Sequence, residues 1–222
     1  MKVVEGTAVV ANGVLAAAQP IVHAAGFVAA DQIAKDTLPA FAANIRSQNA
    51  GQPGRGHRVE TGMLIGEGFE GSGTSAAHIN AVLGDRTSPV GQAWVQALAT
   101  PSAGHAPFMV VTRPGLPVKP FTLFVSKATT SNRDHADVTW GAAQAGVAAG
   151  VVEAVSAGII PTDVAEEALL ICAVWVDPGA TVAHSDVVFL NNRVATYAAL
   201  ENAGHHRPSV ADVLSDDQGI WN

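Results

Sequence analysis

The chain has 222 residues, of which 48% are hydrophobic and 14% are charged, and its formal net charge is −7. This is enough apolar material for one sizeable core, and no stretch approaches the roughly 20 apolar residues that span a bilayer. An acidic surface repels phosphate backbones, so neither nucleic-acid nor membrane binding is expected. The single cysteine, Cys172, excludes an internal disulfide and fits a reducing compartment, which favours the cytoplasm.

A polar, glycine-rich segment over residues 47–58 has the composition of a linker. It predicts three parts: an N-terminal extension with its linker (1–57), a main domain (58–207) and a C-terminal tail (208–222). We expect the chemistry in the main domain, because the extension carries no recognisable functional motif.

The spacing of apolar residues predicts strands that alternate irregularly with helices after the linker. That arrangement favours a two-layer α/β (α+β) sandwich. The segment 169–176 is a continuous apolar run before Asp177-Pro178, so a buried strand is expected there. In chain order, the predicted elements are a hairpin at 12–13, a helix over 26–46, a strand over 75–83, a helix over 89–99, strands over 108–112 and 122–129, a helix over 139–157, a capped turn over 162–167, a strand over 169–176 and a helix over 191–203.

Residues 66–71 formally match the G-x-G-x-x-G pattern of dinucleotide-binding loops. Such a site needs the loop to open a helix whose N-terminus holds the pyrophosphate. Here Gly73 and a strand-like segment follow instead, and the two glutamates within the pattern would repel phosphate. The dinucleotide interpretation is therefore rejected.

A few polar residues interrupt apolar elements and are candidates for a site. His78 and Asn80 alternate with apolar neighbours, so they share one face of their strand, and Lys127 and Thr129 repeat this pattern on another. Gln144 is the polar side chain in an alanine-rich helix. Each has a plain structural alternative: a satisfied strand-edge histidine, a lysine that extends to the surface, or a glutamine that faces solvent.

Several familiar kinds of site are not predicted. The sequence contains no H-E-x-x-H motif and no cysteine cluster, so no metal site is expected. It also lacks a G-x-S-x-G elbow and a P-loop. Cys172 lies in an apolar strand and is interpreted as an inert core residue.

A set of short motifs recurs in the order of one known family. The motifs are Gly66-Glu67 with Gly71 and Gly73, Ala77-His78-Ile79, Gly84 to Pro89, Pro114 to Pro120, Lys127 with Thr129, Gly141 with Ala143-Gln144 and Gly146 to Ala148, Ala157 to Pro161, and Ala195-Thr196. Together they resemble the formaldehyde-activating enzyme family over roughly residues 60–204.

The resemblance implies a fold like that of ribosomal protein S5 domain 2 and a ring-shaped homo-oligomer, typically a pentamer, with sites between subunits. It also implies that formaldehyde condenses with tetrahydromethanopterin to give methylene-tetrahydromethanopterin and water, a (hydro-)lyase-type reaction of one-carbon metabolism. The pterin is then a co-substrate, and neither a metal nor a tightly bound cofactor is needed.

The resemblance also assigns residues. His78 matches the family's proposed proton donor, and histidine is the side chain suited to expelling hydroxide near neutral pH. The positions that match substrate-binding residues of the family are Asn80, Met109, Lys127, Thr129 and Gln144.

Three features depart from the family pattern. The family has aspartate where this chain has Asn80, it has histidine where this chain has Ala145, and the extension of roughly 60 residues lies outside the pattern. A carboxylate at position 80 would favour protonated His78, whereas asparagine supplies no charge. The sequence therefore leaves an alternative open, a non-catalytic homologue that binds or senses formaldehyde or a pterin.

Overall fold

The computed structural model describes residues 62–215. The predicted hairpin, the predicted helix over 26–46 and the linker lie outside the described residues. The proposed boundaries at 57 and 207 stay predictions.

Seven strands and six α-helices are found within residues 62–215. They are β1 (Leu64–Glu70), β2 (Ala77–Gly84), α1 (Pro89–Ala99), β3 (Phe108–Met109), β4 (Val111–Arg113), β5 (Leu116–Pro117), β6 (Phe121–Ser126), α2 (Arg133–Val138), α3 (Gln144–Ser156), α4 (Thr162–Glu167), β7 (Leu169–Val176), α5 (Ser185–Gly204) and α6 (Val210–Ser215). A π-helical segment, Thr139–Ala143, joins α2 to α3, and 3₁₀ turns at Gly73–Ser75 and Val182–His184 precede β2 and α5.

Five strands form the main sheet in the order β1-β2-β7-β6-β3, while β4 and β5 pair separately. Neighbours in the main sheet are antiparallel except β6 and β7, which are parallel. Helices α3 and α5 pack against each other, and α5 lies on β1 and β2. Ile79, Val147 and Phe189 are among the core residues between these layers. The predicted two-layer α/β arrangement is confirmed, and the likeness to ribosomal protein S5 stays a prediction.

The predicted bounds of α1 and β7 agree with the structure. Other elements have different bounds, and in one of them a side-chain cap that the apolar pattern does not reveal gives the reason. The long helix begins at Arg133 rather than 139, since the Asn132 side chain accepts a hydrogen bond from His135 N. Helix α5 begins at Ser185 rather than at 191, and β6 ends at Ser126 rather than at 129.

Strand β1 was not predicted, because its glycines were interpreted as a loop. In the structure Gly66 and Gly68 face α5 so closely that a Cβ on either would overlap a backbone carbonyl oxygen of α5, at Ala199 or Ala195. Alternate glycines thus allow the strand to lie directly on the helix. The intervening residues, Glu67 and Phe69, are exposed on the opposite face.

The α3–α5 contact contains a buried ion pair. Arg193 Nε lies 2.6 Å from Glu153 Oε1, and the two side chains are 6% and 4% exposed. Burial raises the pKa of Glu153, although the neighbouring guanidinium opposes this shift.

The continuous helical stretch Arg133–Ser156 is, by length and composition, apolar enough to cross a membrane. However, 78% of its apolar window is buried inside the domain, which is also the pattern of a core helix.

Candidate functional site

The face of the sheet turned away from α5 carries most of the predicted site. Along β2, Ala77, Ile79 and Ala81 are fully buried in the core, whereas His78 and Asn80 lie on the other face and are partly exposed. The prediction that these two polar residues share a face is confirmed.

The strand register determines the neighbours of His78. It pairs with Phe69 on β1 and with Trp175 on β7, and Asn80 pairs with Glu67 on β1. Directly paired residues project from the same side of a sheet, so these side chains form one continuous patch. An aromatic residue therefore flanks His78 on each side.

His78 and Glu67 are in direct contact. His78 Nε2 lies 3.0 Å from Glu67 Oε1, and the side chains are 38% and 55% exposed. The His78 ring is also 6.2 Å from the Phe69 ring, centroid to centroid. Glu67 is not among the predicted site residues, because the sequence places it in a glycine-rich motif to which no catalytic role was assigned. The alternation of glycine with larger residues over 66–69 was the available signal, since it is the period of a strand.

Lys127 lies beside this pair, immediately after β6 ends. Its backbone N–H donates to Val174 O (2.8 Å), and its ammonium Nζ donates to the carbonyl oxygen of His78 (3.3 Å). Partial burial lowers the pKa of Lys127, and the negative charge of Glu67 opposes that shift. Lys127 therefore belongs to the same electrostatic cluster as His78 and Glu67.

Thr129 lies beyond the end of β6 and is held by a histidine that was not predicted. His105 Nδ1 is 2.9 Å from Ser126 O, and His105 Nε2 is 3.1 Å from Thr129 Oγ1. A carbonyl oxygen can only accept, so the His105 proton is on Nδ1 and the Thr129 hydroxyl donates to Nε2. The Thr129 oxygen keeps its lone pairs for another donor.

Gln144 is buried, at 2% exposure, and does not face solvent. Its Oε1 accepts a hydrogen bond from Val111 N (2.7 Å), while its Nε2 has no hydrogen-bond partner among residues 62–215. A buried amide donor without a partner is costly, so it marks a place where a ligand oxygen could bind.

Five of the six predicted residues fall into two groups according to their strands and hydrogen bonds, and the sixth, Thr129, is bonded to His105. His78, Asn80 and Lys127 lie together, whereas Met109 on β3 and Gln144 lie near the β3–β4 segment. Within residues 62–215 no hydrogen bond or ion pair joins the two groups.

No cluster of three or more histidine, cysteine or acidic side chains that could hold a metal occurs in the described part of the chain. Cys172 is fully buried, and burial raises its pKa to about 12. The prediction that Cys172 lies in the core is confirmed, and its lack of reactivity stays a prediction.

The fold and this cluster define a two-layer α/β domain whose sheet face opposite α5 carries a histidine, a carboxylate and an amine, the side chains of an acid–base site. The formaldehyde-activating enzyme family model matches residues 65–221, more than half of the chain. The chain belongs to the formaldehyde-activating enzyme family.

Relatives named "Bifunctional enzyme Fae/Hps" occur in archaea. The protein of Methanococcoides burtonii is 39% identical over 154 residues, which are 69% of this chain and 38% of the relative. That of Methanosphaera stadtmanae is 40% identical over 156 residues (70% and 38%), and that of Archaeoglobus fulgidus is 40% identical over 151 residues (68% and 36%). The chain thus spans less than two fifths of the length of these relatives.

Proposed function

We propose that this protein condenses formaldehyde with tetrahydromethanopterin to give methylene-tetrahydromethanopterin and water, as a (hydro-)lyase-type enzyme of one-carbon metabolism. The supporting observation is the position of His78, which is partly exposed on the sheet face opposite α5 and lies 3.0 Å from the Glu67 carboxylate in a chain of this family. The single buried cysteine agrees with a reducing, cytoplasmic location.

The reaction requires a proton at one defined step. A pterin amine adds to formaldehyde and gives a hydroxymethyl amine. Protonated His78 donates to the hydroxyl oxygen, the C–O bond breaks with its electron pair on oxygen, and water leaves. The nitrogen lone pair then forms the C=N bond of an iminium ion. The second amine adds to that carbon, and the proton it releases returns to His78.

General acid–base catalysis of this kind is worth ~10²–10⁴-fold. The remaining rate enhancement comes from holding the two amines and the aldehyde carbon in reactive geometry. Tetrahydromethanopterin is consumed and is therefore a co-substrate, not a bound cofactor.

The other predicted residues are assigned to substrate binding. The positions are Asn80, Met109, Lys127, Thr129 and Gln144. Gln144 Nε2 offers an unused donor and Thr129 Oγ1 offers an acceptor, which suits the amide-like edge of a pterin. Met109 supplies an apolar contact.

We further propose a closed homo-oligomeric ring, most simply a pentamer, with each site completed by a neighbouring subunit. No hydrogen bond or ion pair joins the two groups of site residues among residues 62–215, and α5 carries an exposed apolar stripe of Val187, Leu190 and Val194. A shared site and a buried stripe would account for both features. A monomeric mass by light scattering at micromolar concentration would contradict the ring.

The second candidate is a homologue that binds formaldehyde or a reduced pterin without catalysis. Asn80 favours it, because this amide supplies no charge at a position where the family has aspartate. The two candidates differ in turnover and not in binding.

The variant His78→Ala separates these candidates. If His78 is the general acid, turnover falls sharply in the variant while the pterin dissociation constant stays within a small factor. The measurements are methylene-pterin formation by absorbance and pterin binding by calorimetry. Equal turnover in native protein and variant would remove His78 from the mechanism.

A further inference from the structure

We infer that Glu67 is the positioning carboxylate of His78: it binds the Nε2–H group, stabilises the imidazolium ion and leaves Nδ1 as the nitrogen that donates the proton. The inference rests on the proposed function for its chemical meaning, since His78 is the acid there. Its structural part, the Glu67–His78 pair, can be tested without any turnover.

The backbone of Glu67 is held in place from three directions. Its two neighbours, Gly66 and Gly68, lie against α5, and the Asn202 side chain donates to Glu67 O (2.9 Å). Glu67 also pairs with Asn80 in the β1–β2 ladder. Because the backbone is fixed, the side chain needs only its own rotamers to reach His78.

The geometry determines which ring nitrogen is free. Nε2 lies 3.0 Å from the carboxylate oxygen, and an ionised carboxylate can only accept, so the Nε2 proton points to Glu67. Nδ1 has no hydrogen-bond partner among residues 62–215. In the imidazolium form both nitrogens carry protons, and the Nδ1 proton is the one available to a ligand.

The charges around the ring show why a carboxylate is needed. The groups that face His78 across the sheet are Glu67 from β1, Lys127 from the end of β6, and the uncharged Asn80, Phe69 and Trp175. Without Glu67, the positive charge of the Lys127 ammonium would remain near the His78 ring, and this charge disfavours a second positive charge on the ring. Glu67 offsets that cation and supplies the charge that Asn80 lacks.

Glu67 changes what is expected at position 80. If no other carboxylate were near His78, Asn80 would leave its protonated form without a stabilising charge, and Asn80→Asp would supply that charge. With Glu67 in place, the native protein already holds a carboxylate beside His78. The substitution should instead rescue a protein from which the Glu67 charge has been removed, because the two positions are direct cross-strand neighbours.

The test compares native protein, Glu67→Gln, and the double variant Glu67→Gln/Asn80→Asp. Loss of the carboxylate makes the imidazolium ion less favourable, so the turnover of Glu67→Gln should be about tenfold lower than that of the native protein. The double variant should recover most of this turnover. Glu70→Gln is the matched control. Glu70 is on the face of β1 opposite Glu67, and its Oε1 accepts a hydrogen bond from Gly71 N.

A second measurement does not depend on activity. ¹⁵N NMR of the imidazole rings, assigned through His78→Ala, reports which nitrogen carries the proton at high pH. We expect the Nε2–H form of His78 in the native protein and in Glu70→Gln, and a shift toward a mixture of both forms in Glu67→Gln. An Nδ1–H form in the native protein, or an unchanged spectrum in Glu67→Gln, would overturn the inference even if the protein is an active enzyme. An inactive native protein with the expected spectra would instead refute the proposed function and leave the pair standing.

Discussion

Replacing Gly68 by alanine would test how β1, and with it Glu67, is held in place. The added Cβ would overlap Ala195 O and lie 2.8 Å from Ala199 N. Both are backbone atoms of the 20-residue helix α5, whose inner side is buried, so they cannot rotate away as a side chain could. Overpacking of this kind costs about 1–3 kcal/mol, and backbone obstacles favour the upper end.

At ~2–4 °C per kcal/mol for a domain of this size, a loss of about 3 kcal/mol lowers Tm by about 6–12 °C. Thermal and urea unfolding followed by circular dichroism measure this loss. The control is Gly141→Ala, because a Cβ there meets no atom within 4 Å and the residue lies in helical structure. That variant should be as stable as the native protein or more stable by about 0.5–1 kcal/mol. A Gly68→Ala protein within about 0.5 kcal/mol of native stability would refute the packing of β1 described above, since a surface-like response is that small.

Three further perturbations probe the core and the extension. Arg193→Met leaves the buried Glu153 carboxylate without its cation, so stability at neutral pH should fall by about 3–5 kcal/mol. Because burial raises the pKa of Glu153, the folded state binds that proton more tightly than the unfolded chain. The loss should therefore be smaller at pH 5 than at pH 8 in urea unfolding, and equal losses would argue against a buried charge. Cys172 should react with a thiol reagent only after unfolding, as its pKa of about 12 and full burial require, and rapid labelling of the native protein would contradict this. Removing residues 1–57 should leave cooperative melting intact, whereas aggregation or a lost transition would show that the extension is part of the fold.

Elements with strong local signals could be predicted from the sequence. Helix α1 has Ser88 as its N-cap, accepting from Val90 N, and Pro89 at its first position, so its start is encoded within three residues. Strand β7 is a continuous apolar run that ends before Asp177-Pro178, and its bounds were predicted without error.

The parts that escaped prediction depend on contacts between distant segments. Glycines at alternate positions of β1 have meaning only when α5 lies against them, and the pairing of Glu67 with His78 depends on the β1–β2 register. The sequence does not distinguish a Gln144 side chain that belongs to the site from one that faces solvent, because α3 is alanine-rich on all sides. In the structure most of that helix is buried, so no polar stripe indicates which way Gln144 points.

The most direct test of the proposed function is the rate of methylene-tetrahydromethanopterin formation from purified protein, formaldehyde and tetrahydromethanopterin, compared with the spontaneous rate. The native protein should exceed the spontaneous rate, and Glu67→Gln should lose much of that acceleration while Glu70→Gln keeps it. A native protein that binds the pterin but leaves the spontaneous rate unchanged would contradict the enzyme and support the binding homologue.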